Sequence, residues 1–507
     1  MQFVVIGGGT AGLITALMVR ASLPSQPVTV VRSSAVGILG AGEGTTPHFV
    51  QQFLDRVGIP VSDVVRYAGA TIKNAVRFTN WRGDGQTYYH PFDDAVTKDV
   101  DLALLHPERT ADSTRLNFTA HCSHAGKVLF SPKPPWERDP SADRIRHLTS
   151  HGNFALHFNA KRLAEYLERV AIERGIEFID GLVVDLHQNE RGDVDRVHLE
   201  DGRVLPSDFI FDCSGTARLV IGKLYDVRWT SHKRSLPVDR AVTFTLPHKP
   251  GPMEPVTSSI ALKAGWMWHI PTQRRNGCGY VYDSDCVNDD GARQELNERY
   301  PGVELGRTLR FDAGYYERIW VNNCVAVGLS MGFLEPLEAT SIWSTVMLVK
   351  ELLHVYLPLN DDRARSDLNA FHRTLQERLL DFLYLHYITP RDDTVFWRTF
   401  QQRTRVPAGV KMAMAGGGLR WSFEQSHLLG GHPLPFLGAS WMRVAVGVDA
   451  IDRGSFAKYW KHYNLHEGYL ERLSEHERRI ASYTSGCLDH RAFLAYLRRE
   501  GPLDPAT

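Results

Sequence analysis

The chain has 507 residues, of which 43% are hydrophobic and 23% are charged. That composition is typical of a globular protein with a sizeable core, and the length favours one large composite unit or two to three domains. Basic and acidic residues balance at 58 each, which argues against nucleic-acid and acidic-membrane partners because those need concentrated positive charge. The six cysteines are scattered without a CxxC pair, so we expect no zinc site, no disulfide framework and a reducing cytosol.

The N-terminus and the hydropathy of the chain bear on its location. MQFVVIGGGTAG lacks a basic region, and its apolar run breaks into glycine, so a signal peptide is not expected. No uninterrupted run of about 18 apolar residues occurs, which argues against a membrane span. We therefore expect a cytoplasmic protein, monomeric or homodimeric, with no metal site and neither nucleic acid nor membrane as a partner.

The first predicted elements are a strand, a helix and a second strand. Residues 2–6 are typical of a short buried strand, ITALMVRASL is typical of an amphipathic helix, and residues 28–31 predict the next strand. Together they predict the opening βαβ unit of a dinucleotide-binding fold.

A glycine motif lies between that strand and that helix. Gly7, Gly9 and Gly12 satisfy GxGxxG, in which they allow a tight turn, a close approach to pyrophosphate and close helix–strand packing, respectively. The helix start, with Thr10 and Ala11, supplies amides and a positive dipole end for phosphates. We therefore predict that this segment binds a dinucleotide.

One position departs from the motif. The acidic residue expected about 20 residues further on, for the ribose hydroxyls, is Arg32. An arginine at this place can instead contact the 2′-phosphate of NADP. Arg32 therefore leaves FAD and NADP open.

Two later segments favour FAD. DCSG, from Asp212 to Gly215, follows a hydrophobic strand and resembles the second pass of the chain against the cofactor in FAD-dependent monooxygenase-like folds. CVAVGLSMGFLEPLEATS, which contains Gly328, resembles the third pass. DCSG taken alone would also fit an ordinary turn from strand to loop.

The remaining elements complete the predicted architecture. A helix and a hairpin precede a strand that re-enters the first sheet at 209–215, and strands and breaks alternate over 240–325. Helical patterns dominate from about 340, and the glycine-rich segment 412–438 predicts a loop over the site.

The predicted fold class is α/β, with a monooxygenase-like FAD-binding box, an added mixed sheet and a mostly helical C-terminal substrate region. We assign residues 1–345 to the box with its interleaved substrate-side sheet and residues 346–507 to the helical region. The two are expected to pack as one composite unit.

Several motifs in the same order resemble one family, the flavin-dependent halogenases of the tryptophan-halogenase type. GWMWHIP matches the WxWxIP signature of that family, and FLEPLEATS and IKNAVRFTNW are further matches. The resemblance implies an enzyme that uses reduced FAD, oxygen and chloride or bromide to halogenate an electron-rich aromatic compound. The resemblance implies that Gly42, Glu43 and Gly44 contact the cofactor. The matching motifs extend over nearly the whole chain: Gly40 to Pro47, Ile72 to Trp81, Gly265 to Pro271, Phe333 to Ser341, Asp381 to Leu383, His386 to Tyr387 and Phe396 to Arg398.

The resemblance also implies two catalytic residues. Lys73 would deliver hypohalous acid, either as an ammonium that polarises it or as a neutral amine that forms a haloamine, and burial would favour the neutral form. Glu338 would stabilise the cationic ring intermediate and take its proton. Glu335 is the nearest competing carboxylate and could instead be a structural anion. A lone lysine is by default a solvated surface residue, which the IKNAVRFTNW context argues against.

A halide site and an aromatic wall follow from the same resemblance. The amides of Thr340 and Ser341 begin a predicted helix and could bind halide, although a plain threonine N-cap would look the same. Trp266 and Trp268 would guard the passage between flavin and substrate, and we expect them to point to opposite faces of a strand. The aromatic wall for an indole would be formed by His90 and Phe92.

The substrate-side lid departs from the family pattern. Members specific for tryptophan grip its charged groups with tyrosines, a Phe-Trp pair and an acidic residue, whereas WSFEQSHLLGGHPLPFLGASW has no tyrosine, and Glu424 and Trp441 fit the spacing poorly. A buried zwitterion needs such polar partners. We therefore expect indole or an indole derivative rather than free tryptophan.

A partner and two alternatives complete the expectations. One dinucleotide fingerprint is visible and FAD would occupy it, so a separate NADH-dependent flavin reductase would supply reduced FAD. The first alternative is a flavin-dependent aromatic hydroxylase of the same fold, against which WxWxIP and Lys73 weigh. The second is a non-catalytic flavoprotein, against which the number of catalytic-type motifs weighs.

Overall fold

The computed structural model describes residues 1–37, 42–92, 117–129, 153–415, 436 and 438–499. Within these ranges, no helix combines the length and the apolar character needed to cross a membrane.

The strands concentrate in the first two thirds of the chain. In chain order they are β1 Phe3–Ile6, β2 Val28–Arg32, β3 Thr71–Lys73, β4 Ala75–Thr79, β5 Thr87–Pro91, β6 Ala155–His157, β7 Glu177–Asp180, β8 Val183–Gln188, β9 Val194–Leu199, β10 Val204–Pro206, β11 Phe209–Asp212, β12 Trp229–Ser231, β13 Arg240–Leu246, β14 Val256–Leu262, β15 Gly265–Pro271, β16 Asn276–Tyr282, β17 Leu305–Arg310, β18 Gly314–Tyr316, β19 Trp320–Val321, β20 Cys324–Ala326 and β21 Gly332–Phe333.

The helices are spread along the chain and dominate after residue 340, as predicted. They are α1 Thr10–Ser22, α2 Asp55–Val57, α3 Val61–Tyr67, α4 Phe118–His124, α5 Ala160–Glu173, α6 Asp289–Arg299, α7 Thr340–Glu351, α8 Asp362–Leu385, α9 Val395–Arg403, α10 Ala408–Ala415, α11 Gly438–Gly447, α12 Arg453–His462, α13 Tyr469–Ser485 and α14 His490–Arg499.

The six-stranded sheet confirms the predicted dinucleotide-type unit. Its order is β19-β20-β11-β1-β2-β7, and β20, β11, β1, β2 and β7 run parallel. All four residues of β1 are buried, as expected for a central parallel strand that is covered on both faces. The strands β11 and β20 are those that precede DCSG and Gly328, so both segments return to the sheet of the glycine motif.

The seven-stranded sheet is the added mixed sheet that the alternating stretches predicted. Its order is β17-β13-β16-β15-β14-β4-β5, antiparallel except for the parallel pair β14 and β4. Strand β4 lies within IKNAVRFTNW, β5 follows it in sequence, and β15 carries GWMWHIP. Two distant motifs therefore share one sheet.

The C-terminal helices pack back onto the earlier part of the molecule. Cys487, between α13 and α14, lies with its Sγ 3.7 Å from that of Cys122 on α4, and both are free thiols. The loop predicted over 412–438 was wrong at its ends, since Ala408–Ala415 and Gly438–Gly447 are helices. The stretch between these helices lies outside the described residues, apart from Phe436.

Candidate active site

Lys73 is the last residue of β3 and points into the interior. Its side chain is 1% exposed, its Nζ donates to the Thr45 carbonyl oxygen at 2.9 Å, and the Phe92 ring centroid lies 5.0 Å from Nζ. Burial lowers the pKa of Lys73 to about 8, while the nearby Glu338 carboxylate opposes that shift. Lys73 is therefore not a solvated surface lysine, and at neutral pH its ammonium form predominates.

Glu338 lies in a tight turn directly before α7. Glu338 and Ala339 have φ values of 65° and 55°, in the left-handed region that costs free energy for residues other than glycine. The turn buries the Glu338 side chain, and the next residue, Thr340, begins the helix. The surrounding packing must stabilise this strained geometry.

The Glu338 carboxylate lies between two histidines. Its Oε1 is 2.8 Å from Nδ1 of His90 and 3.3 Å from Nε2 of His386, whereas its buried Oε2 has no hydrogen-bond partner among the described residues. Burial by itself would raise the pKa of Glu338, but His90 and His386 lower it well below its usual range. Glu338 is therefore an ionised carboxylate with one oxygen left for another group.

The contact of His386 Nδ1 indicates where the imidazole ring carries its protons. Its Nδ1 lies 2.9 Å from the Phe382 carbonyl oxygen, which can only accept, so Nδ1 carries a proton. A hydrogen bond from Nε2 to Glu338 then requires a proton on that nitrogen as well. His386 and Glu338 thus fit an imidazolium–carboxylate pair.

Aromatic rings cover the histidine side of this cluster. The His90 ring centroid lies 6.2 Å from that of Phe92, 5.5 Å from that of Phe382 and 5.6 Å from that of Phe436. Phe382 and Phe436 stack at 3.9 Å. Lys73, Glu338, His90, Phe92 and His386 with these rings are called the lysine chamber below.

Glu335 has a different environment although it is only three residues from Glu338. One of its oxygens accepts from the Tyr387 hydroxyl at 2.8 Å, and the other has no hydrogen-bond partner in the described part of the chain. Burial raises the pKa of Glu335 to about 8. Glu335 is therefore mainly protonated at neutral pH, whereas Glu338 is ionised.

The expectation that Trp266 and Trp268 point to opposite faces was wrong. Their ring centroids lie 6.1 Å apart because residues two apart on a strand share a face. Trp266 is buried beside Glu335 and Tyr387. Trp268 is half-buried and covers Gly279, where a Cβ would lie 2.1 Å from the indole.

The glycine motif has the backbone geometry of a ligand cradle. A Cβ built on Gly7, whose φ is 121°, would lie 2.1 Å from the Cys213 carbonyl oxygen, and one on Gly12 would lie 1.9 Å from that of Gly7. At Gly9, in contrast, no described atom lies within 4 Å of the Cβ position. Two glycines are thus required by the protein's own backbone, and the third lies beside space that no described atom occupies.

The second and third chain segments meet at this cradle. A Cβ on Gly328, whose φ is 69°, would lie 2.6 Å from the Ala11 Cβ. The Ser330 hydroxyl donates to the Gly215 carbonyl oxygen at 3.1 Å. Residues from three distant segments therefore lie together around the start of α1.

The side chains of Asp212 and Arg32 both contact other residues of this chain. The Asp212 carboxylate is fully buried and accepts from the amides of Ser214, Val220 and Ile221 and from the Ser214 hydroxyl. These four hydrogen bonds hold the loop that carries Gly215, and a direct contact of Asp212 with the cofactor stays a prediction. Arg32 forms an ion pair with Glu168 at 2.8 Å.

The segment 42–44 lies between the chamber and the rest of the box. Gly42 has a φ of 95°, the buried Glu43 accepts from Arg275 at 2.9 Å, and Gly44 pairs with His157 as a β-bridge. A Cβ on Gly44 would lie 3.7 Å from that of Ala339, so this segment contacts the turn that carries Glu338. Residues 40 and 41 of the same motif lie outside the described residues.

Helix α7 begins at Thr340, as predicted, but it is not capped by a threonine side chain. Ala339 occupies the N-cap position, and no side chain of the described residues caps the helix. The threonine N-cap alternative is therefore wrong. The first amides of this 12-residue helix keep their capacity to bind an anion.

Four residues were not named as site residues from the sequence: His386, Phe382 and Phe436 of the chamber, and Thr45, which accepts from Lys73. His386 and Phe382 belong to a motif that we noted, and their spacing of four residues on a helix places them on one face. That spacing was the signal for them. Thr45 contributes its backbone carbonyl oxygen. Every residue has such an oxygen, so the residue type at position 45 gave no signal for this contact.

Comparison with known proteins identifies the family. The family model for tryptophan halogenase matches residues 2–458. The tryptophan 7-halogenase KtzQ of Kutzneria sp. (strain 744) is 32% identical over 426 residues, which cover 79% of this chain and 78% of KtzQ.

Two solved structures match almost the full length. Tar14, a tryptophan C-6 flavin-dependent halogenase (chlorinase) from taromycin biosynthesis, is 28% identical with a TM-score of 0.86, covering 98% of this chain and 99% of Tar14. BrvH, a flavin-dependent halogenase from Brevundimonas sp. BAL3, is 30% identical with a TM-score of 0.80, covering 98% and 99%, respectively. These matches do not favour the hydroxylase alternative. The chain belongs to the tryptophan halogenase family and is a flavin-dependent enzyme that halogenates an aromatic substrate.

Proposed function

We propose that the reaction takes place in the lysine chamber and that indole or an indole derivative is the substrate. The observation that carries this proposal is a buried Lys73 in the neighbourhood of a buried, ionised Glu338, one of whose carboxylate oxygens has no hydrogen-bond partner among the described residues. Aromatic rings beside these two groups provide a surface suited to a flat apolar ring.

The cofactor is proposed to be FAD, used as reduced FAD and supplied by a separate NADH-dependent reductase. Gly9 and the first amides of α1 would hold the pyrophosphate, because open space and free donors coincide there. Gly42, Gly44, Gly215 and Gly328 would contact other parts of the cofactor. When bound, reduced FAD reacts with oxygen and halide to supply hypohalous acid.

The halide is proposed to bind at the amides of Thr340 and Ser341. Those amides lie at an uncapped helix start, where the helix dipole favours an anion. Both chloride and bromide fit this chemistry.

Lys73 is proposed to hold hypohalous acid through its ammonium group. Its pKa of about 8 leaves the charged form dominant at neutral pH, and that form can donate to the oxidant while it also donates to Thr45. The burial of Lys73 keeps water away, which makes such a hydrogen bond stronger than it would be in solution. The oxidant would thus be polarised at one position rather than react freely.

Glu338 is proposed to act on the ring after attack. A ring that gains halogen carries a positive charge, which the ionised carboxylate stabilises. The free Oε2 can then accept the ring proton, while His90 and His386 keep the carboxylate oriented through Oε1. His90 would therefore position Glu338 in addition to its role in the aromatic wall with Phe92.

Free tryptophan is the second candidate substrate, because KtzQ and Tar14 are named for it. Glu424, the acidic residue of the lid, lies outside the described residues. Trp441 is buried in α11, its indole nitrogen donates to the Phe436 carbonyl oxygen at 3.3 Å, and its ring packs on Phe382 at 5.1 Å. This packing leaves Trp441 poorly suited to grip a zwitterion.

A direct experiment compares indole with free tryptophan under identical conditions. We expect the kcat/KM for indole to exceed that for tryptophan by at least about tenfold, because unpaired burial of the amino and carboxylate groups costs more than 1.4 kcal/mol. Mass spectrometry with bromide and chloride in competition would identify the products. Comparable values for both substrates would contradict the assignment of an indole-type substrate.

A further inference from the structure

Strand β3, which ends at Lys73, forms hydrogen bonds along both edges. On one of these edges, a histidine side chain takes the place of a backbone acceptor. One edge of β3 pairs with β6, with Lys73 opposite Ala155. On the other edge, the amide of Asn74 donates to the Pro255 carbonyl oxygen at 2.7 Å. The amide of Ile72 instead donates to Nε2 of His490 at 3.0 Å.

His490 connects this amide to the neighbouring segment. Its Nδ1 lies 3.0 Å from the Met253 carbonyl oxygen, to which it donates. Met253 precedes Pro255 by two residues, the same spacing that separates Ile72 from Asn74. The imidazole thus occupies the place of one backbone hydrogen bond between these two segments.

The neutral form of the imidazole suits this place. His490 is fully buried, and burial lowers its pKa to about 4. A neutral imidazole with its proton on Nδ1 donates to Met253 and accepts from Ile72, so both of its nitrogens are satisfied.

The backbone around His490 is also anchored. The amide of His490 donates to the Gly126 carbonyl oxygen at 3.0 Å, and the amide of Val128 donates to that of Leu488 at 3.0 Å. The Lys127 Nζ donates to the Thr484 carbonyl oxygen at 2.9 Å. The start of α14 is therefore held firmly enough to present the imidazole to β3.

We propose that His490 is a positioning residue for Lys73. It lies 418 residues from Ile72 in sequence and completes the hydrogen bonding of the strand whose next residue is Lys73. Without it the buried Ile72 amide loses its acceptor, and β3 has to shift or admit water. A displacement of about 1 Å at a reacting group can cost on the order of 100-fold in rate.

The inference rests on the proposed role of Lys73, and its test measures halogenated product per flavin oxidised. His490→Phe keeps an aromatic ring but removes both hydrogen bonds. We expect that ratio to fall at least about tenfold while flavin oxidation and FAD affinity stay as in the wild type. His490→Gln retains one acceptor and one donor on a more flexible side chain, and a smaller loss of about two- to fivefold is expected.

A matched control is His372→Phe. His372 is also fully buried, and its Nε2 donates to the Tyr316 carbonyl oxygen at 3.1 Å, far in sequence from β3. The variant should lose stability but keep the product ratio, which separates general destabilisation from a loss of positioning.

The outcomes distinguish this inference from the proposed function. If Lys73→Ala still forms product, the proposed role of Lys73 is wrong. If Lys73→Ala loses product but a folded His490→Phe keeps the wild-type ratio, the positioning role is overturned. Should His490→Phe not fold, His490→Gln decides, since a partial loss with normal flavin oxidation supports the inference and an unchanged ratio overturns it.

Discussion

The glycine cradle and the lysine chamber are built in opposite ways. In the cradle, Gly7, Gly9 and Gly12 lie within six residues of one another, and their backbone provides the geometry. In the chamber, Lys73 and Glu338 are 265 positions apart, and buried side chains provide the charges. A site made of local backbone is defined by motif spacing, whereas a site made of distant charges depends on how whole elements pack.

The chamber region also shows how strongly packing controls charge. Glu335 and Glu338 belong to one short motif, yet the pKa of the first is raised to about 8 and that of the second is lowered. Burial raises the pKa of both carboxyl groups. The hydrogen bond from Tyr387 offsets only part of that effect at Glu335, whereas His90 and His386 outweigh it at Glu338. Residue type alone would have assigned both the same charge.

The largest expected effect in the chamber is that of Lys73→Ala. Halogenated product should fall below detection while flavin oxidation continues, because the oxidant would still form but would no longer be held beside the substrate. Product and flavin oxidation would be followed side by side. Lys233→Ala, at a lysine paired with Asp239, is the control and should change neither. Product at near wild-type rate from Lys73→Ala would contradict the proposed mechanism.

Glu338→Gln should have the next largest effect. The amide keeps the shape but removes charge stabilisation and proton acceptance, and loss of such a group commonly costs about 10²–10⁴-fold in rate. The unpaired charge left on His386 should also lower the melting temperature. Single-turnover halogenation and thermal unfolding would be measured together. A rate within twofold of the wild type would remove Glu338 from the mechanism.

In the cradle, Gly9→Val should weaken FAD binding by more than about 100-fold, or about 2.7 kcal/mol. Gly9 has a φ of −78° and an extended backbone, and its Cβ position is free of described atoms, so the variant should fold. The added side chain would occupy the space proposed for pyrophosphate. Flavin fluorescence titration is the measurement, and unchanged affinity would show that the cofactor is placed wrongly.

Arg32→Glu should do less damage than Gly9→Val. Arg32 is bound to Glu168, so the change removes an ion pair and places two carboxylates side by side. If the residue merely flanks the ribose, FAD affinity should fall less than about tenfold. A loss as large as that of Gly9→Val would identify Arg32 as a primary contact.

The last expected effect is on stability rather than on activity or binding, and it concerns the dependence on pH at Glu335. Its pKa in the folded protein is about 8, above the ordinary value of 4.5, so the folded state holds the proton longer than the unfolded chain does. Stability therefore falls as pH rises between these two values. Glu335→Gln should remove that dependence and gain on the order of 2 kcal/mol over the wild type between pH 6 and pH 9.

Thermal unfolding at the two pH values checks this prediction. Glu190→Gln, at an exposed position, is the matched control and should show the wild-type dependence on pH. Parallel curves for Glu335→Gln and the wild type would mean that Glu335 titrates normally.

The motifs and their order predicted the family and the fold class, and both predictions are confirmed. The GxGxxG spacing predicted the cradle because the three glycines lie within six consecutive residues, between a strand and a helix. The ordered motifs predicted that Lys73 and Glu338 belong to one site, and the structure brings both into the same chamber.

The protonation states and the hydrogen-bond partners of the site residues depend on how distant parts of the chain pack together. His386 and His490 lie on helices far from Lys73 in sequence, and their contacts arise from the packing of those helices against the sheets. The Asp212 carboxylate accepts hydrogen bonds from backbone amides of the following loop. Its position at the end of a strand did not indicate these contacts. Hydrogen bonding and burial depend on what surrounds a side chain, so these assignments could be made only once the distant segments had been brought together.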